Sequence, residues 1–469
     1  MSAWEPVIGL EIHVQLSTET KMFCACENRF GADPNTLTCP LCLGHPGVLP
    51  VINQAAVERA IKIGLALNSA IAESCRFHRK NYFYPDSPKA YQISQYDEPI
   101  CSGGFLEVDG MRVGITRAHL EEDAAKLVHA GGEAGRIAGA EHSLVDFNRC
   151  GTPLVEIVTE PDIRSPEQAT RFLGLLKNTL QTIGVSDCDM EKGSLRCDAN
   201  VSVRPEGTTE FGTKTELKNM NSFKFLAEGM AAEIQRQIGV LEDGGTVEQE
   251  TLHYDPRSGA LRSLRSKEEA HDYRYFPEPD LVPLEPSAEL VEQLRGELPE
   301  LPAARIARFE SDYGLPEQYA VDLNADPVVA DYFEQVAGLS GDAKAAADWV
   351  INQPTAVAAV PASGLAGIVK LVAGGTITAT IAKQVYGLLE QTPDANPAAL
   401  VEEQGLASIG GDDELMAMVD EVIEANPAFV EQFRGGKDGV INALVGQVMK
   451  KTQGRADARK VQELFRSRL

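Results

Sequence analysis

The stretch Val7-Ile8-Gly9-Leu10-Glu11-Ile12-His13-Val14-Gln15-Leu16 decides how the first half of this chain is read. Side chains on a β-strand point alternately to opposite faces. Leu10, Ile12, Val14 and Leu16 therefore share one face, and Glu11, His13 and Gln15 share the other. Such a strand buries one side and offers a carboxylate and an imidazole on the other. These two groups, two residues apart, can share a metal ion. The plain alternative is the solvated face of a half-buried sheet.

The pattern returns downstream. In Leu195–Arg204, the polar residues Arg196, Asp198, Asn200, Ser202 and Arg204 alternate with Cys197, Ala199, Val201 and Val203. In Thr213–Lys218, Lys214, Glu216 and Lys218 share a face. Glu156 is the sole charge in Leu154-Val155-Glu156-Ile157-Val158, where an acid is costly to bury unless paired or metal-bound. His119-Leu120-Glu121-Glu122-Asp123 sets three acids in a row. Taken singly, each segment reads as a solvated or ion-paired face. As neighbouring strands of one sheet they supply an oxygen-rich site suited to Mg²⁺ and nucleotide phosphates.

Arg79, Lys80 and Lys89 flank Asn81-Tyr82-Phe83-Tyr84-Pro85-Asp86. Near a metal–phosphate site these cations would offset phosphate charge; elsewhere they are surface residues. No G-x-x-x-x-G-K-[S/T] loop is present. Gly131-Gly132-Glu133-Ala134-Gly135-Arg136 lacks the Lys–Ser/Thr ending and reads as a plain loop. A nucleotide site here is not a P-loop.

Cys24-x-Cys26 and Cys39-x-x-Cys42 are two close thiol pairs, with Gly31, Pro34 and Pro40 as turn residues around them. Paired thiolates at this spacing suit tetrahedral Zn²⁺, and a closed four-thiolate shell makes the zinc structural. The alternative is two pairs of unligated thiols. Cys75, Cys101, Cys150, Cys188 and Cys197 are scattered and read as buried filler.

Helical patterns interrupt the strands at Ile52–Leu67, from Ser165-Pro166-Glu167 to Ile183, and at Ser222–Asp243. Ser165 suits an N-cap and Pro166 the first helical position. The mixture indicates an α+β domain with mostly antiparallel strands. Four prolines in Phe276–Pro286 exclude a helix or a central strand, so the domain exit is expected there. Beyond it the pattern is helical, with a second break at Ile409-Gly410-Gly411-Asp412-Asp413. The expected domains are residues 1–286, with a zinc knuckle at 24–42, then 287–409 and a helical tail at 410–469.

The 469 residues, 43% hydrophobic and 24% charged, allow about three domains. A net charge of −26 argues against a general polyanion binder. The charge is uneven, however: from Gly436 to the end there are eight lysines and arginines against three acids, so a local basic surface can still meet phosphates. No apolar run of ~20 residues suggests a membrane span. The amino terminus lacks the basic and small-residue features of a signal peptide. A cytoplasmic protein with reduced cysteines is expected.

Several long strings resemble one family. They include Val7-Ile8-Gly9-Leu10-Glu11-Ile12-His13, Arg79-Lys80-Asn81-Tyr82-Phe83-Tyr84-Pro85-Asp86 and Lys89-Ala90-Tyr91-Gln92-Ile93-Ser94-Gln95. Asp146-Phe147-Asn148-Arg149-Cys150-Gly151-Thr152-Pro153, Ser194-Leu195-Arg196-Cys197-Asp198-Ala199-Asn200 and Asp272-Tyr273-Arg274-Tyr275-Phe276-Pro277-Glu278-Pro279-Asp280 add to them. All are similar to the B subunits of the aspartyl/glutamyl-tRNA amidotransferases, over essentially the whole chain.

The resemblance implies a glutamine synthetase-like cradle followed by all-α helical and tail domains. It implies a ligase of protein biosynthesis that uses ATP and Mg²⁺ to phosphorylate, then amidate, the carboxylate of Glu-tRNA(Gln) or Asp-tRNA(Asn). Glu11, His13, Glu156, Asp198 and Glu216 would be metal or phosphate ligands. Glu121 or Glu122 would join them, and alternation with Arg117 and His119 favours Glu121. Glu122 would then serve the ammonia route with Lys80, Lys89 and Asp280. The chain shows no amidase signature of its own, so ammonia would come from the family's amidase A subunit, with the small C subunit, in a heterotrimer that binds tRNA. The competing readings are a non-catalytic zinc-containing tRNA-binding scaffold and a free-standing ligase acting on a small acid.

Overall fold

The computed structural model describes residues 4–108, 110–131, 139–220, 222–266, 272–353, 356–409 and 411–469. The loop expected at Gly131–Arg136 lies outside them from residue 132 onward. The chain divides into two compact units, Met1–Ala304 and Arg305–Leu469.

The strand Trp4–Gln15 sits inside a 13-stranded sheet of the first unit. Its burial alternates as its sequence does: Leu10, Ile12 and Val14 are buried, while Glu11, His13 and Gln15 are partly exposed. It pairs antiparallel with Pro153–Thr159 on one side and Leu195–Pro205 on the other. Outward from Pro153–Thr159 come Met111–Glu122, Tyr91–Ser94, His78–Asn81 and the edge strand Phe276–Pro277. Outward from Leu195–Pro205 come Thr215–Met220, Glu250–Asp255 and Ala260–Ser266. Thr215–Met220 and Glu250–Asp255 run parallel; the other pairs on this path are antiparallel. The sheet and helices make the fold α+β.

The helices Gln54–Ala66, Pro166–Thr182 and Phe223–Glu242 share the buried core with the apolar side of the sheet. The Ser165 side chain accepts from the Gln168 N–H, with Pro166 opening the helix. Ser222 caps the third helix by accepting from the Phe225 N–H. Each cap satisfies an amide that the helix leaves unpaired. The five scattered cysteines are all buried.

The first unit runs past the expected exit at residue 286. Leu284 and Cys75 exchange backbone hydrogen bonds of 2.8 and 2.9 Å, and the helix Ala288–Gly296 buries Leu294 in the first core. The prolines stop regular structure but do not detach the chain, because apolar side chains beyond them still need that core. Pro277 lies on an edge strand, where a missing amide donor is tolerated.

The second unit is helical and holds two buried clusters. One gathers around Phe309, Phe333, Leu365 and Ile381, the other around Leu415, Val419, Leu444 and Phe465. A short 3₁₀ turn, Asp438–Val440, precedes the helix Ile441–Lys451. Some of the carboxy-terminal cations are already paired, Arg468 with Asp420 at 2.9 Å and Lys451 with Glu421 at 2.6 Å. Among the described residues no helix is long and apolar enough to cross a membrane.

Candidate functional site

Register across the central strands decides which polar side chains meet. His13 stands opposite Glu156 on one neighbour and Arg196 on the other. Glu156 stands opposite His119 in turn. One row of the sheet therefore reads His119, Glu156, His13, Arg196. In the next row Glu11 faces Asp198, and in the one after that Asn200 faces Glu216. On the other side of the His13 row, Glu121 stands opposite Leu154, which faces Gln15.

The side chains converge accordingly. His13 Nε2 lies 3.4 Å from Glu156 Oε2, 3.7 Å from Glu121 Oε1 and 3.9 Å from Glu11 Oε1. His119 Nε2 lies 3.6 Å from Glu156 Oε2, and its Nδ1 is buried without a hydrogen-bond partner. Two ligands of one Mg²⁺ can stand at most about 4.2 Å apart, twice a bond of about 2.1 Å. The His13–carboxylate separations fall inside that limit, so these residues fit a divalent cation.

Glu121 and Glu156 are only 2% and 4% exposed, so their charges need partners. Burial raises the Glu11 carboxyl above its usual range, and neighbouring Glu156 pushes the same way. Burial works against the His13 imidazolium, but Glu156 and Glu121 outweigh it and hold its proton more tightly than usual. Burial drives His119 the opposite way. Burial also opposes ionisation of Glu156, yet His119, His13 and Lys80 together hold that carboxyl well below the ordinary range.

Cations surround the acids. Lys80 Nζ lies 3.9 Å from Glu121, and Arg117 lies 3.7 Å from Glu156. Lys218 Nζ bridges Asp198 at 3.1 Å and Glu216 at 3.0 Å. Arg196 donates to the buried Asp123 at 2.5 Å, which also accepts from Gln15 at 2.8 Å. Asp198 is thus next to the cluster, and Glu216 is joined to it through Lys218.

Glu122 points to the opposite side of its strand from Glu121. There it pairs with the half-buried ammonium of Lys89 and accepts from the Ile93 N–H. Arg79 is on that side as well, forked onto Glu278 at 2.7 and 2.8 Å and reaching Asp280 at 3.3 Å. Its guanidinium lies over the Tyr91 ring, as does the Lys89 ammonium. Lys80 parts company with Lys89, Glu122 and Asp280 by turning to the acidic face. His119 was not singled out from sequence, although it shares the alternation of Arg117 and Glu121. Its partner Glu156 is on another strand.

The four cysteine sulfurs form a separate cluster, each within 4.8 Å of the others. Cys42 is its hub, 3.6 Å from Cys24, 3.7 Å from Cys39 and 3.8 Å from Cys26. Sulfurs on a tetrahedron with Zn–S bonds of about 2.3 Å stand about 3.8 Å apart, so the set fits a closed zinc shell. The hydrogen bond from Cys24 pulls the Cys42 thiol down to about 4, against burial and aided by Lys21.

The family model described as "GatB/GatE catalytic domain" matches residues 6–292, and that described as "GatB domain" matches residues 331–469. The chain is 51% identical to the B subunit of the aspartyl/glutamyl-tRNA(Asn/Gln) amidotransferase of Carboxydothermus hydrogenoformans, covering 100% of this chain and 99% of that one. It is 50% identical to the protein of the same name from Moorella thermoacetica, covering 99% of this chain and 100% of that one. The chain belongs to the family of aspartyl/glutamyl-tRNA(Asn/Gln) amidotransferase B subunits.

Proposed function

We propose that this chain activates the side-chain carboxylate of a misacylated tRNA, Glu-tRNA(Gln) or Asp-tRNA(Asn), by ATP- and Mg²⁺-dependent phosphorylation and hosts its amidation by ammonia. The observation that carries the reading is the interlocking of Glu11, His13, Glu121, Glu156 and His119 on one sheet face. Family membership supports it. Glu11, His13, Glu121 and Glu156 would hold Mg²⁺, with Asp198 and Glu216 extending the acidic rows. The ion would supply Lewis-acid polarisation and offset repulsion between carboxylate and phosphates. Lys80, Arg117 and Lys218 stand where cations could meet phosphate oxygens.

The chemistry needs activation because a free carboxylate would have to expel oxide or hydroxide. In the proposed sequence a carboxylate oxygen attacks the γ-phosphorus of ATP and ADP leaves. Ammonia then attacks the acyl carbon, phosphate departs, and the nitrogen loses a proton. An acyl phosphate hydrolyses readily, so ammonia needs a sheltered path. We assign the Lys89–Glu122 pair and the Arg79–Glu278–Asp280 group to that path, with Lys80 on the acidic face. Ammonia would come from the amidase A subunit, with the small C subunit, in a cytoplasmic heterotrimer. The helical second unit would hold the tRNA, and the four cysteines a structural Zn²⁺. A scaffold reading leaves the acid–imidazole cluster without a role.

The test is ADP release and amide formation by the complete complex on both misacylated tRNAs. Glu156→Gln should lower both about a hundred-fold or more, since Lewis-acid stabilisation amounts to several kcal/mol. Glutamine hydrolysis by the partner amidase should persist. Full transamidation by that variant would refute the assignment.

A further inference from the structure

Lys21 is 1% exposed, the only lysine among the buried described residues. Its backbone fixes it there: the Lys21 N–H donates to Cys26 O at 3.0 Å and the Met22 N–H to Gly151 O at 2.7 Å. Its Nζ donates to Cys42 Sγ at 3.5 Å and to the Phe147 carbonyl at 3.3 Å. Among the described residues neither of these partners is a carboxylate. A buried ammonium is costly unless a counter-charge accompanies it, and a neutral thiol is only a weak acceptor. The counter-charge available is the sulfur of Cys42, the hub of the cysteine cluster.

We propose that Lys21 is the counter-cation of the four-cysteine metal site, donating to Cys42 Sγ and offsetting the negative charge that four thiolates leave around one divalent ion. The inference rests on the reading of these cysteines as a metal site. Four thiolates with Zn²⁺ carry a net charge of −2, and the ammonium reduces it to −1. Lys21 touches no metal and no substrate; it is a positioning residue acting through Cys42. Groups that donate to a ligand of a metal commonly alter affinity about ten- to hundred-fold when removed.

The experiment compares the zinc-loaded full chain with Lys21→Met and Lys21→Arg, following zinc release to a chromogenic chelator. Lys21→Met keeps most of the stem and loses the charge, so it should release zinc about ten- to hundred-fold faster. Lys21→Arg keeps the charge and should stay close to the parent rate. With Co²⁺ in place of zinc, Lys21→Met should move the sulfur-to-metal charge-transfer band to longer wavelength, because the sulfur loses a donor. A packing defect alone would not produce that shift. Equal release rates in all three chains, or equal loss in both variants, would overturn the proposal. If Lys21→Met fails to fold, refolding it in excess zinc decides the matter: recovery supports the role and continued failure overturns it. A parent chain that binds no zinc would instead sink the reading of the cysteines, and the role of Lys21 with it.

Discussion

The cysteine cluster and the acid–imidazole cluster are assembled in opposite ways. Cys24, Cys26, Cys39 and Cys42 come from one short loop segment, and their sulfurs meet through local turns. Glu11, His13, Glu121, Glu156 and His119 come from three strands far apart in sequence, and they meet only because those strands are neighbours in the sheet. The first arrangement is closed and suits a structural ion; the second keeps an open side, with His13 and Glu11 partly exposed. A local cluster can be read from spacing. A cluster made by strand order needs the fold.

The comparison can be broken experimentally. Glu156→Gln should produce the largest effect, the loss of ADP release described above, while bound zinc measured by atomic absorption stays at the parent level. Parallel loss of zinc would mean the two clusters are not independent. Ile12 lies behind the acidic face, in the core at 0% exposure. Ile12→Ala should cost about 2–5 kcal/mol in denaturant unfolding without touching a ligand. A cost under about 1 kcal/mol would contradict the packing of the sheet against its helices.

Smaller effects sharpen the outline of the acidic face. Glu216→Ala should reduce transamidation by less than Glu156→Gln, about ten-fold, because Glu216 reaches the cluster through Lys218 rather than directly. A loss as deep as that of Glu156→Gln would draw Glu216 into the metal's own ligand set. Smallest of all, Ser165→Ala should cost about 1 kcal/mol of stability by removing one helix cap, leaving zinc content and turnover unchanged. Circular-dichroism melts and activity at saturating substrate would check both halves of that expectation.

Much of this was legible beforehand where the signal is local. Alternation in Trp4–Gln15 and Leu195–Pro205 put the right residues on the right faces, and Ser165 caps the helix its position suggested. His119 was harder, because a buried histidine on one strand carries no mark of the carboxylate opposite it. The extent of the first unit was harder still: proline marks where regular structure stops, but Leu294 shows that burial continues beyond it.

By itself the sequence determined which side of each strand is apolar, where helices begin, and that four thiols lie close together. These follow from steric alternation, capping geometry and short loop lengths, each a matter of a few neighbouring residues. Only the tertiary structure decided that Trp4–Gln15 lies between Pro153–Thr159 and Leu195–Pro205, and that Glu121 joins the cluster while Glu122 turns to Lys89. Backbone ladders pair any two strands alike. Which strands become neighbours is settled when their apolar faces are buried together against the same helices.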